Sequence, residues 1–436
     1  MRSLASYSFV TLMSVMVPAG AFGHSYGPPP RVTGAPGDNA RACTACHSSS
    51  ALNSGAGSVK ILLQSGPVYI PGVKQRVTVQ VADPAQKRWG FELSARLNSD
   101  LSDGQAGDFL PIDNFTQVIC QDNTPRPCAS GPTFITHTSA GTRNGTRNGV
   151  TFQFDWIPPA TNAGPVTFFV AANAANGDAN LTGDLIYNTN VELTPAIATA
   201  PSVTAGGVVH AATLAAGPVS ANSWVTIYGS NLGVTTRSWA DSDFLNGAIP
   251  FSIDGVSVVL TQFGAPRLAY VGYVSPNQVN FLLPSDLATT GTTVLVKNPA
   301  GSTTALPLTI QANGPQLFTT DGKSVVGTHA SGVLLGKASP AAPGETVVVY
   351  GTGMGATSPA LIPGQVPVDA APLATLPKVT IGGSAATVIS ANAVAGAPGV
   401  YQINVQVPSD ATNGDLALVV QAGTASSVST VITIQK

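Results

Sequence analysis

Apolar and polar positions alternate in short runs along most of the chain, starting with Val59-Lys60-Ile61 and continuing as Val77-Thr78-Val79-Gln80-Val81. Such period-two patterning predicts strands with one buried face. Gly90-Phe91-Glu92-Leu93 and Phe152-Gln153-Phe154-Asp155-Trp156 repeat it, and Val166-Thr167-Phe168-Phe169-Val170 reads as a more deeply buried strand. Tyr69-Ile70-Pro71-Gly72 supplies a turn, and the pairs Asn144-Gly145 and Asn148-Gly149 supply the positive φ angles of tight hairpins. The spacing predicts one β-sandwich over residues 22–194, followed by a linker at 195–207 where Ala, Thr, Pro and Gly replace the alternation.

Beyond the linker the chain repeats itself. Val225-Thr226-Ile227-Tyr228-Gly229-Ser230-Asn231-Leu232-Gly233 returns as Val347-Val348-Val349-Tyr350-Gly351-Thr352-Gly353-Met354-Gly355, an offset of 122 residues between the tyrosines. Gln278-Val279-Asn280-Phe281-Leu282-Leu283-Pro284-Ser285-Asp286 returns as Gln402-Ile403-Asn404-Val405-Gln406-Val407-Pro408-Ser409-Asp410, an offset of 124 residues between the prolines. Two copies of one sandwich are therefore expected, over 208–312 and 313–436, each closing in strands such as Thr293-Val294-Leu295-Val296 and Val431-Ile432-Thr433-Ile434. The predicted fold class is all-β, with three immunoglobulin-like β-sandwich domains in tandem after a signal peptide.

Composition narrows the function. Charged residues are 9% of the 436 and only three are Glu, whereas Gly (46) and Pro (34) are plentiful, which suits strands and turns rather than salt-bridged helices. The net charge of −2 and the absence of a Lys or Arg run exclude a nucleic-acid footprint. Residues 1–21 read as a secretory signal, with Arg2 as the n-region, Phe9 to Val17 as the h-region and Ala19-Gly20-Ala21 as the cleavage site; a cut after Gly23 would instead start the mature chain at His24. The apolar run is too short to span a bilayer, so an exported protein without a transmembrane segment is expected, extracellular, at a bacterial cell surface or periplasmic.

Cys43-Thr44-Ala45-Cys46-His47 is the sharpest chemical signal. Two thiols at this spacing suit the two vinyl groups of one haem, with the adjacent His47 as the axial iron ligand. The four cysteines, Cys43, Cys46, Cys120 and Cys128, also allow a purely structural reading as disulfides in an oxidising compartment, and both readings stay open. The arrangement that uses every thiol puts haem on Cys43 and Cys46 and joins Cys120 to Cys128. His137 or His24 would be the sixth ligand, because Met354 is the sole methionine outside the signal and belongs to the last domain. An N-terminal His24 would alternatively chelate copper as in lytic polysaccharide monooxygenases. Asp178-Ala179-Asn180-Leu181-Thr182-Gly183-Asp184 has the oxygen spacing of half a calcium loop, with Asp178, Asn180 and Asp184 as donors, yet its twelfth position is Thr189, and an Asx-rich turn is the competing reading. Gly351-Thr352-Gly353-Met354-Gly355 reads as a sandwich turn, Asp155 as a strand-edge group, and neither a G-x-S-x-G nor an H-E-x-x-H motif occurs. No enzymatic activity is predicted.

Residues 27–190 resemble the Reeler domain and its bacterial relatives of the choice-of-anchor V type. The resemblance rests on Gly27-Pro28-Pro29, Thr33-Gly34-Ala35-Pro36-Gly37, the cysteine cluster, Trp89-Gly90-Phe91, Thr136-His137-Thr138, Phe154-Asp155-Trp156-Ile157-Pro158-Pro159 and Ala172-Asn173-Ala174-Ala175-Asn176-Gly177-Asp178. It implies an extracellular sandwich used for adhesion or display, a cysteine at Cys128 that serves in a bridge, and the Cys-x-x-Cys-His element kept by the bacterial members. Residues 205–436 are similar to an uncharacterised C-terminal domain of exported acidobacterial proteins, itself like tandem IPT/TIG folds, on Ser223-Trp224-Val225-Thr226-Ile227-Tyr228-Gly229 and Tyr273-Val274-Ser275-Pro276-Asn277-Gln278-Val279-Asn280. That likeness implies a presentation or attachment module. The function expected is a surface β-sandwich protein that binds an extracellular protein or polysaccharide, with a mono-haem c-type electron carrier or haem sensor on the same scaffold as the other reading.

Overall fold

Alternate side chains of the strand Arg88–Leu97 point to opposite faces of one sheet, and both faces are buried. Trp89, Phe91, Leu93 and Ala95 enter the hydrophobic core, while Glu92, Ser94 and Arg96 point the other way and are 0% exposed. The computed structural model describes residues 24–39 and 42–436, so the signal at 1–21 and the alternative cut after Gly23 lie outside the described residues.

The fold is all-β. Among the described residues the only helical segments are 3-10 turns such as Ala42–Ala45 and Ala140–Thr142. The first sandwich packs a four-stranded sheet, in the order Ser58–Leu63, Gln75–Asp83, Asn148–Ile157 and Asp108–Pro111, against a larger one. That larger sheet runs Val68–Tyr69, Leu185–Pro195, Val166–Ala175, Arg88–Leu97, Thr133–His137 and Thr116–Cys120. Val77, Val79 and Val81 meet Phe152, Phe154 and Trp156 on the inner side, as the alternation predicts. Trp156 is fully buried, stacks edge-on against Phe168 at 4.7 Å and donates its indole N–H to the Ala106 carbonyl at 2.8 Å.

Two local expectations are corrected. Asn148-Gly149 is not a hairpin turn but opens the strand Asn148–Ile157, where Gly149 (φ +146) crosses so close to its neighbour that a Cβ would stand 2.6 Å from the Val81 carbonyl. The interval 195–207 is not a free linker. It begins in the strand Leu185–Pro195 and ends in Ser202–His210, which pairs with Trp224–Ser230 across a bulge between Val203 and Val208. Gly206 and Gly207 break the alternation there, and Gly206 takes the positive φ (+69) that the bulge requires.

The two repeats fold alike at their centres. Ile227 pairs with Val279 in one and Val349 pairs with Ile403 in the other, the equivalent positions of the repeat. Each copy encloses its own apolar cluster, one including Val225, Phe281 and Val296, the other Val347, Val405 and Val420. Met354 lies in the second of these cores, and the glycines around it form the loop after a strand, with Gly353 (φ +74) against Gly314. Trp224 ties the copies together: its indole donates to the Pro398 carbonyl at 2.9 Å and its backbone N–H to Thr352 Oγ1 at 3.1 Å.

Replacing Trp156 by Ala should cost the first sandwich about 3–5 kcal/mol. In denaturant titrations of the full chain, the transition of that sandwich should move while the transition of the tandem repeats stays; an equal shift of both would contradict separate cores.

Candidate functional site

The outward polar face of Arg88–Leu97 is buried because residues 24–39 and 42–47 lie across it. Glu92 accepts the backbone N–H groups of Arg31 at 2.9 Å and Val32 at 3.1 Å, one on each carboxylate oxygen. Beside it Arg96 pairs with Asp38 at 2.8 Å, both side chains fully buried, and Asp38 also receives the Thr33 hydroxyl at 2.6 Å. Burial, and then the charge of Asp38, push the Glu92 carboxyl well above the usual carboxylate range, against the pull of the two peptide N–H groups. At the far end of the segment Arg88 donates to Ser25 Oγ at 2.6 Å.

Between this segment and the sheet lies a mostly apolar cleft of about 220 Å³. Cys43, Cys46, His47, His137 and His24 all line it, together with Val32, Trp89 and Phe91. The 3-10 turn Ala42–Ala45 brings the two cysteines and the histidine to one wall, with the His47 N–H bonded to the Cys43 carbonyl at 3.0 Å. His47 Nδ1 lies 2.7 Å from Asp184 Oδ2, and Asn173 Nδ2 is 3.3 Å from both ring nitrogens. The carboxylate fixes the tautomer with the proton on Nδ1, which leaves Nε2 as the donor atom for a metal. Asn173 Oδ1, in the cleft wall, is buried with no hydrogen-bond partner among the described residues.

His137 reaches the cleft over Gly90. A Cβ on residue 90 would stand 2.7 Å from His137 Cε1, so only glycine leaves room for the ring. His137 Nδ1 accepts the Phe91 N–H at 3.1 Å, and the backbone of His24 is a second partner of the ring. Burial pulls its pKa from 6.5 down to about 4, so the ring is neutral near pH 7, and with Nδ1 accepting, its proton sits on Nε2. Burial pushes the Cys43 thiol far above its ordinary value, with the nearby Glu92 charge adding to it, whereas Cys46 is exposed.

Cys120 and Cys128 form a disulfide, and Cys43 and Cys46 are free thiols, so no bridge links the two pairs. The unbridged thiols of Cys43 and Cys46, the carboxylate-held His47 and the buried His137 line one mostly apolar cleft, the types of group that a c-type haem would need. The calcium donors are not brought together. Asp178 caps the backbone of Asn180 at 2.8 Å in an exposed turn, while Asp184 turns inward to His47 and to the Asn176 N–H at 3.1 Å. Among the described residues no three His, Cys, Asp or Glu groups gather as a metal site. Asp155 is a structural ion-pair partner, 2.5 Å from Arg76 and 2.8 Å from Lys74.

Sequence reasoning missed Asp184 and Asn173 as parts of the cleft and Glu92 as the anchor of the segment over it. Asp184 was visible only as a calcium donor, and no spacing rule joins it to a histidine 137 positions away.

No family model matches the chain, and no curated protein matches it. Among solved structures, the Reeler domain of human F-spondin is 21% identical, with a TM-score of 0.24, over 34% of this chain and 96% of that one. A cohesin module from a Clostridium perfringens family 33 glycoside hydrolase is 9% identical, with a TM-score of 0.23, over 33% of this chain and 99% of that one. The C-terminal domain of the Streptococcus pyogenes antigen I/II-family protein AspA is 8% identical, with a TM-score of 0.24, over 58% of this chain and 99% of that one. Likenesses of this size assign neither family nor function. The all-β class rests on the strands themselves.

Two outcomes are expected. As pH falls from 6.5 to about 4, the unfolded chain binds a proton on His137 that the native chain refuses, so native stability drops by up to about 1.4 kcal/mol per pH unit. Urea titrations should show that His137→Gln removes this slope. Glu92→Ala leaves two peptide N–H groups unpaired, at a cost of about 1–3 kcal/mol; limited proteolysis should then cut within residues 24–47 well before the sheets are attacked.

Proposed function

We propose that the first sandwich is a c-type haem module of an exported protein, held by two further immunoglobulin-like sandwiches at or beyond the cell surface. One observation carries this reading: the Cys43-Thr44-Ala45-Cys46-His47 turn opens into the same cleft as His137, with His47 Nδ1 anchored on Asp184. Cys43 and Cys46 would hold the haem covalently, and His47 Nε2 would ligate its iron. His137, rather than His24, would supply a second iron ligand by exchanging one of its backbone hydrogen bonds for the metal, because its ring is buried and Gly90 reserves space for it. A haem so held supplies one-electron transfer when both axial positions are filled, or small-ligand binding when one is open.

The apolar residues Pro28, Pro29 and Val32 would exclude water from the ring face, and Arg88, a cationic side chain lining the cleft, suits the carboxylates that a haem carries. Export is supported by the leader-like start of the sequence and by the Cys120–Cys128 disulfide, which belongs to an oxidising compartment. The sandwiches would bind or display toward an extracellular protein or polysaccharide.

Co-expression with haem-attachment machinery is the test. The expected product is coloured, keeps its Soret band through acid acetone extraction, and loses covalent haem when Cys43 and Cys46 are both replaced by Ala. His137→Gln should retain the haem and convert a low-spin spectrum to a high-spin one. A colourless wild-type protein would sink the haem reading and leave a display protein alone.

A further inference from the structure

Far from the cleft, in the third sandwich, three side chains fall into line. Ser339 Oγ is 3.0 Å from His329 Nε2, and His329 Nδ1 is 2.5 Å from Glu345 Oε1. Glu345 is itself fixed, its second oxygen accepting the Ala342 N–H at 2.8 Å. His329 ends the short strand Gly327–His329, and Glu345 directly precedes Thr346–Thr352, the strand with which it pairs, so the sheet holds base and carboxylate together. We infer that Ser339, His329 and Glu345 form an activated-serine site that takes an acyl group from apolar, activated esters. The inference is independent of the haem reading.

The roles follow from the hydrogen bonds. With the Nδ1 proton directed to Glu345, Nε2 carries a lone pair, and the partner it can accept from is the Ser339 hydroxyl rather than the Ser339 carbonyl 3.3 Å away. This is the order of nucleophile, base and orienting carboxylate that is recognised by geometry, not by position in the chain. His329 and Glu345 side chains are 18% and 24% exposed, so an ester can reach them. The hairpin that bonds the His329 N–H to the Val333 carbonyl at 2.9 Å carries Val333 and Leu334, 54% and 64% exposed, an apolar flank for the ester's hydrocarbon part.

The same geometry limits the chemistry. The Ser339 N–H is bonded to the Gly336 carbonyl at 3.0 Å and residue 340 is proline, so neither backbone position can donate to an oxyanion. The leaving group must therefore depart easily, as an aryloxide or thiolate does. Ser339 Oγ forms the new C–O bond, its proton passes to His329 Nε2, the bond to the leaving group breaks, and the leaving group takes that proton. Without oxyanion donors, attack of water on the acyl-serine is slow, and the acylated protein accumulates.

Glu345 is the ionisable neighbour acting on His329, and its hydrogen bond holds the imidazole pKa above 6.5. Attack needs the neutral ring, so the rate should rise with pH through an ionisation above that value. The full-length protein is treated with p-nitrophenyl acetate and mapped by mass spectrometry. Acetyl is expected on Ser339 well ahead of the exposed Ser331. His329→Gln should slow this by about 100-fold or more, in line with loss of a general base. Glu345→Gln, which removes the orienting charge, should slow it less and move the pH midpoint down. Folding of both variants is checked by thermal melts; if His329→Gln fails to fold, the wild-type pH profile decides. Labelling of Ser339 no faster than Ser331, acetyl on His329 alone, a rate unchanged in folded His329→Gln, or a rate that simply follows hydroxide would each overturn the site.

Discussion

A carboxyl group taken out of water beneath a chain segment is costly unless its oxygens find donors, and the two oxygens of Glu92 accept the peptide N–H groups of Arg31 and Val32. That contact is what converts a plain sandwich into one with a cleft. It pins residues 24–39 and 42–47 across a sheet face that would otherwise face solvent, and Arg96 with Asp38 and Thr33 completes the polar layer underneath. The cysteine turn is thereby held above the sheet with the cleft between, Asn173 being supplied by the strand Val166–Ala175 and Asp184 by the residue just before Leu185–Pro195.

The tandem repeats depend on a different constraint. Each has a core of its own, but Trp224 reaches from one copy into the other, and Asn222 donates to Tyr401 Oη at 3.0 Å across the same boundary. A small cluster of Ile249, Tyr270 and Leu282 with Val366 makes the junction partly apolar. Gly399 allows the approach, since a Cβ there would lie 2.4 Å from Leu282 Cδ1. Contacts of this kind join the two copies as one unit rather than as beads on a string. The first sandwich joins that unit through polar contacts such as Ser65 to Asp254 at 2.7 Å.

Much of the fold was legible in the sequence because period-two burial is a local signal. Val77, Val79 and Val81 announced their inner face, and the repeat of Tyr228 at Tyr350 announced a second copy of the same strand. What escaped was nonlocal. Glu92 read as the polar side of a half-buried strand, since nothing in a strand's own pattern tells water from a covering segment of polypeptide. Residues 195–207 read as a linker because Gly206 and Gly207 interrupt the alternation, whereas the structure uses them for a bulge. Cys43, Cys46 and His47 were legible as a motif, but the cleft that unites them with His137 required three dimensions. The Ser339 cluster carried no motif at all: its members stand 10 and 16 positions apart, with no glycine elbow to mark the serine.

The strand Arg88–Leu97 also explains how one small sandwich can hold both a rigid core and a site. Its odd-numbered side chains belong to the core, while the even-numbered Gly90 and Glu92 serve the cleft and its covering segment. A substitution at an even position changes what the cleft admits and leaves the inner packing in place; one at an odd position does the reverse. Gly90 is the sharpest case, because the missing side chain is what lets a histidine from the neighbouring strand turn into the cleft. In the third sandwich the Ser339 cluster sits instead on a short edge strand, where His329 is partly exposed. Burial by a covering segment suits a site that must keep a large apolar group dry, and an open edge suits one that meets its reagent from solvent.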